Sequence, residues 1–179
     1  MYFLEQETFV IALSIFESEQ ASSSGNVPGR VAVLRSQLHI YRSGFAIPCA
    51  SGMKAAFARL IQAIFVSLPE PVIYISDWEL WSPNQDFDLF NSYRLAKGTL
   101  RSLDDAPVHQ FESANEESFG SIVCLVLYYQ WDAEIFDRDG KCLITISHDE
   151  WLDIRTDDSQ IRQLCDQAVS EGILKELRS

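Results

Sequence analysis

The sequence predicts a single α+β domain over residues 1–179, with a mainly antiparallel sheet and helices packed against it. Two observations carry this expectation. Apolar residues recur at helical spacing after Ser51, and Asp139-Gly140 stands as a turn pair between two strand-like runs. A chain of 179 residues that is 47% hydrophobic and 12% aromatic has enough apolar surface for one proper core, which excludes disorder.

Along the chain, Leu4, Phe9, Val10, Leu13 and Phe16 fall near helical spacing and suggest a first helix or a strand–helix pair within 4–19. Residues 20–29, QASSSGNVPG, read as a surface loop, and 30–47 leave strand and helix equally open. Met53, Ala56, Phe57, Leu60, Ile61, Ile64, Phe65 and Leu68 form the buried stripe of a helix, with Ser51 as its expected cap and Pro69 as its stop. PVIYIS (71–76) reads as a buried strand.

Ser82-Pro83-Asn84-Gln85 supplies a cap, a first-turn proline and a capping-box residue, so a helix is expected over 83–97 with Gly98 after it. Asp86 and Asp88 fall near its positive end. Residues 99–114 read as a loop. In 118–130 the Ile, Val and Tyr content suits a strand, whereas the length and the charged start (Asn115, Glu116, Glu117) favour a helix. Asp132–Phe136 and Lys141–Ser147 should pair as the hairpin, and Thr156 should cap a last helix with Ile161, Leu164, Cys165 and Ala168 as its stripe.

Charge is the more telling property. Residues 1–75 hold five acidic and five basic residues, and 159–179 hold three of each. The segment 76–158 holds eighteen acidic and six basic residues, so the whole net charge of −12 originates there. Such a field repels nucleic acid and anionic membrane and favours a basic partner, although acidity also serves solubility. No apolar run approaches the roughly 18 residues that span a bilayer. Glu5, Glu7, Glu17 and Glu19 are incompatible with a secretory signal, so the expected compartment is cytoplasmic. Cys49, Cys124, Cys142 and Cys165 form no C-x-x-C pair and should be reduced, mostly buried thiols.

His148-Asp149-Glu150 contains the side chains of a metal site or an acid–base pair. On a strand the three point alternately, and neither His39 nor His109 stands at a ligand spacing, so no metal and no cofactor are expected. No nucleophile elbow, phosphate loop or dinucleotide fingerprint occurs. The better lead is ISDWELWSPNQDFDLF, where Trp78 and Trp81 alternate with Asp77, Glu79, Asp86 and Asp88. Aromatic anchors ringed by carboxylates suit a patch that takes an Arg/Lys-rich surface, although tryptophans also plug cores.

DWELW (77–81), YRLAKG (93–98), APVH (106–109) and WDAEIFDRDGKCLITISHDEW (131–151) together resemble a group of bacterial cytoplasmic proteins of the toxin-immunity type. The resemblance covers roughly residues 72–154. It implies a protein that binds a cognate, basic toxin domain and blocks it, without catalysis, with Asp77, Trp78, Glu79, Trp81, Asp86, Asp88, His148, Asp149 and Glu150 as the expected partner-binding residues. Self-association is compatible with it. The rival classes are a small enzyme built on His148, Asp149 and His109, and a housekeeping protein-interaction module.

Overall fold

In the computed structural model, residues 2–4, 29–48, 50–77, 85–96 and 108–177 are described. Their order is β1 (Tyr2–Leu4), α1 (Gly29–Gln37), β2 (Ile40–Ala46), α2 (Ser51–Phe65), β3 (Val72–Asp77), α3 (Gln85–Ala96), β4 (Val108–Gln110), α4 (Glu117–Tyr129), β5 (Asp132–Phe136), β6 (Cys142–Ser147), β7 (Trp151–Thr156), α5 (Ser159–Ser170) and β8 (Lys175–Glu176). The strands form one sheet, ordered β1-β4-β3-β5-β6-β7-β2-β8, and every pairing is antiparallel. This is the α+β class that the hairpin and the helical stripes predict.

Strand alternation divides the core into two layers. Ile73 and Ile75 of β3, Ile135 of β5, Ile144 and Ile146 of β6 and Leu152 and Ile154 of β7 point to one face. There they meet Phe57, Ile61 and Phe65 of α2, Phe90 of α3, Phe119 and Val126 of α4, and Ile161 and Cys165 of α5. On the other face Val72, Tyr74, Val108, Phe136 and Leu143 meet Val31, Leu34 and Leu38, from α1 and its exit. Burial on both faces explains why β3 reads as an apolar run instead of alternating. Each large side chain so placed contributes about 1.5–3 kcal/mol relative to exposure.

Local chemistry sets the ends of these elements. The β5–β6 connection turns on Asp137, whose carboxylate Oδ1 accepts from the backbone N–H groups of Lys141 (2.8 Å) and Cys142 (2.9 Å). Gly140 then takes φ +71°, where a side chain is strained. A Cβ at that position would also lie 2.6 Å from Leu34 Cδ2, so this turn needs glycine twice over. Arg30 Nη2 donates to the Arg138 carbonyl at 2.8 Å and clamps α1 onto the same turn. Lys54, buried on α2, donates to the Leu127 carbonyl at 2.9 Å and satisfies one of the orphan acceptors at the end of α4.

Several expectations are corrected. Segment 30–47 divides into α1 and β2, and Gly29 already belongs to the helix. The cap of α2 is Ala50, which makes no side-chain cap bond, so Ser51 is not the cap. Val108–Gln110, inside the expected loop 99–114, is a strand because β3 offers it a free edge. Trp151–Thr156, which the sequence reading leaves without an element, is a strand pairing along all of β6. The cap of α5 is Asp158, accepting from Gln160 N (2.7 Å) and Ile161 N (3.3 Å); Thr156 Oγ1 instead accepts from Asp158 N at 3.1 Å. Leu164 is 37% exposed and leaves the stripe of α5. As its length and charged start favour, the 118–130 run is helix α4, with Gln130 as its cap. Cys142 and Cys165 are buried and Cys124 is half-buried. The expected capping residues Ser82 and Pro83 and the terminator Gly98 lie outside the described residues, as do most of 4–19 and 20–28.

Candidate functional site

Strand direction gives the sheet two ends with different chemistry. β3 finishes, β5 begins and the β6–β7 turn lies at one end, because Asp77 is the cross-strand partner of Asp132 and Ser147 that of Trp151. The turn there is Ser147–Glu150, closed by Glu150 N donating to the Ser147 carbonyl at 3.1 Å. Ile47 N, just after β2, donates to the Glu150 carbonyl at 2.8 Å and ties the turn to the start of α2.

Within this turn His148 is held by Asp132. Its Nδ1 lies 2.9 and 3.0 Å from the two carboxylate oxygens, and its backbone N–H donates to Oδ1 at 2.6 Å. The other ring nitrogen, Nε2, lies 3.4 Å from Asp149 Oδ1. The hydrogen bond to Asp132 is the largest influence and raises the His148 pKa, and the charges of Asp132, Asp149 and Asp77 act in the same direction. An imidazole between two carboxylates is stabilised as the cation, a poor state for a general base. Ser147, its neighbour in sequence, is buried, and its hydroxyl accepts from Asp149 N at 3.3 Å.

The backbone is also unusual here. Glu150 at φ +63° and Gln130 at φ +55° are both non-glycine residues in the left-handed region. Their side chains meet, with Gln130 Nε2 donating to Glu150 Oε1 at 2.5 Å. Gln130 caps α4 at the position that glycine or asparagine ordinarily takes. Strain of this kind concentrates at working surfaces, and two of the three such residues among the described ones lie at this corner.

The opposite end of the strands carries carboxylates with partners. Glu70 pairs with Arg138 and Asp139 with Lys141, while Asp157 meets Arg162 and His39. At the His148 corner, among the described residues, neither Asp132, Asp149 nor Glu150 has a lysine or arginine partner. The acidic excess of 76–158 is therefore not one uniform face. Asp137 and Asp158 are structural, Asp153 holds Gly44 N at 3.0 Å, and the buried Glu134 meets Arg35 at 2.8 Å.

Of the expected partner-binding residues, Asp77, His148, Asp149 and Glu150 converge on this corner from two distant parts of the sequence. Asp88 is exposed on α3. Asp86 lies on the α3 backbone, with its side chain outside the described set, and Trp78, Glu79 and Trp81 lie outside it altogether. His109, the third histidine of the enzymatic reading, is fully buried in the main core with its ring edge-on to Phe90 at 5.8 Å. No group of three or more potential metal ligands occurs among the described residues, and none of their helices is long and apolar enough to cross a membrane. The sequence reading misses Asp132 and Gln130. Asp132 could have been found by counting the hairpin register outward from Asp139-Gly140, which sets it beside the end of β6. Comparison with family models, with curated proteins and with solved structures gives no match.

Proposed function

We propose that the chain is a binding protein of the toxin-immunity type, whose His148 corner receives a basic surface of a cognate toxin domain. The observation that carries this reading is that Asp132 and Asp149 flank the His148 ring and Glu150 closes the same turn without a lysine or arginine partner among the described residues, while carboxylates at the far end of the sheet are paired with Arg and Lys. A net-negative cluster on a strained, well-tied turn attracts a cationic partner at long range and holds it in a fixed orientation. The resemblance of residues 72–154 to immunity-type proteins supplies the partner class.

The test is co-expression with the product of the neighbouring reading frame, followed by association kinetics at low and high ionic strength. A stable complex whose on-rate falls steeply with salt, and falls again when Asp149 and Glu150 are both changed to Lys, is the expected result. No complex, or one indifferent to salt and to that double reversal, would remove the reading.

An enzymatic use of His148 is the second reading, favoured by the Asp132–His148 hydrogen bond, which resembles an oriented catalytic imidazole. The facing Asp149 weighs against it, since a second carboxylate beside the ring favours the protonated imidazole, a poor general base.

A further inference from the structure

We infer that α1 is a detachable strap on the second face of the sheet, clasped by the Arg35–Glu134 pair, and that the clasp makes its docking respond to pH. The inference stands apart from the binding reading above. α1 has nine residues, fewer than the roughly 12–15 that an isolated helix needs in water, so it is helical because it is docked. Its apolar hold is small, with Val31, Leu34 and Leu38 set against the cluster around Tyr74 and Phe136. The rest of the hold comes from three arginines. Arg30 reaches the Arg138 carbonyl at one end, and Arg155 Nη1 donates to the Arg35 and Leu38 carbonyls, at 3.0 and 3.4 Å, at the other. Arg35 Nη2 donates to Glu134 Oε1 at 2.8 Å. An element held by few buried apolar groups and by partly exposed polar bonds opens locally, without global unfolding.

The clasp is unequal. Glu134 lies between its cross-strand partners Tyr74 of β3 and Thr145 of β6, with a side chain 7% exposed, whereas that of Arg35 is 40% exposed. A buried carboxylate facing a half-hydrated cation is only partly compensated, so its neutral form suits the docked state better. Burial is the largest influence on the Glu134 carboxyl and raises its pKa; Arg35 and the Ser76 hydroxyl oppose this, and Asp132 adds to it. Tyr74, the other titratable group against it, is raised by burial and by the Glu134 charge, so it stays neutral. His39, just past α1, faces Asp157 instead. Asp137, at the turn under the start of α1, is also raised by burial and adds a dependence of the same sign. When α1 lifts, Glu134 gains water and returns toward the ordinary value of 4.5. Docking is therefore strongest below that value and weakens as pH rises through the raised, docked one.

Amide hydrogen exchange of the full-length protein, followed by mass spectrometry at about pH 5 and about pH 8 and corrected for intrinsic exchange rates, tests this. The expected result is protection of residues 30–38 that falls roughly two- to tenfold from the lower pH to the higher, while β5 and β6 stay protected. Glu134→Gln keeps an oxygen for Arg35 without the charge, so it should raise α1 protection at the higher pH and remove most of the fall. Arg35→Ala leaves the buried carboxylate without its cation and should lower protection more at the higher pH than at the lower. Thermal melts establish that each variant folds, and the wild-type series alone tests the strap where one does not. Protection of 30–38 that is indifferent to pH, or equally pH-dependent in Glu134→Gln, overturns the clasp. Exchange of α1 only together with β5 and β6 overturns the strap.

Discussion

Because Asp132 accepts from the His148 ring and backbone together, the folded state holds this imidazole's proton more tightly than the unfolded chain does. A raised folded pKa contributes stability that is complete below the unfolded value of about 6.5 and is lost as pH rises through the folded value. Wild type should therefore lose some denaturant resistance on going from about pH 6 to pH 8. Asp132→Asn, which retains an oxygen for the backbone N–H, should flatten that dependence in urea melts at the two pH values. Glu150 offers a second test. An L-residue in the left-handed region costs roughly 1–2 kcal/mol, and glycine adds back about 0.4–1 kcal/mol of unfolded-state entropy. Glu150→Gly should thus stabilise the protein by roughly 0.5 kcal/mol in equilibrium unfolding, and it should weaken binding of the basic partner. His148 and Glu150 were visible in the sequence as candidates. Their geometry was not, since side-chain partners such as Asp132 and Gln130 depend on cross-strand register and on the direction in which α4 ends.

At the level of elements, turns and caps are where sequence signals were strongest and also where they misled. Asp139-Gly140 marks the hairpin correctly, and the structure adds the reason for the glycine: a positive φ and Leu34 of α1 pressed against it. Gly140→Ala should cost roughly 2–4 kcal/mol, the sum of left-handed strain and overpacking, measured by denaturant unfolding. Asp158→Ala should remove about 1 kcal/mol as the loss of an N-cap, again by denaturant unfolding. Thr156 drew the cap assignment because its residue type suits that role equally well. Only the end of β7, which uses Thr156 to bind the Lys141 carbonyl at 2.7 Å, moves the helix start two residues on. The strands Val108–Gln110 and Trp151–Thr156 escaped detection for a related reason. The first is three residues long and the second, WLDIRT, is a half-polar alternation, so each is specified by the strand beside it.

For the whole molecule, the sum of charge was legible and its distribution was not. Counting locates the −12 in 76–158, but folding sends that segment back and forth along four strands and deposits its carboxylates at both ends of the sheet. The two ends can be compared directly. Replacing Asp149 and Glu150 by Lys should slow association with the basic partner, whereas replacing Asp139 and Asp157 by Lys should leave the on-rate much closer to wild type at equal net charge. Stopped-flow association at low ionic strength measures both. Equal slowing by the two pairs would mean that total charge alone matters.

The strand order bears on how the chain is made. β5, β6 and β7 follow one another and pair as neighbours, yet β2, written more than a hundred residues before β7, has its long pairing with β7. During synthesis β2 emerges early and finds its long pairing edge only once residue 156 has left the ribosome, whereas β1 can pair with β4 from residue 110 on. Apolar surfaces such as Phe45 and the inner face of α2 must wait in an unfinished state. Loop closure across that separation is slow relative to the local meander, so β5–β6–β7 is the natural nucleus and β2 a late arrival. Truncation before β7 is therefore expected to leave β2 without its long partner edge and to give fragments that aggregate instead of a smaller folded protein, a difference that fragment solubility measures.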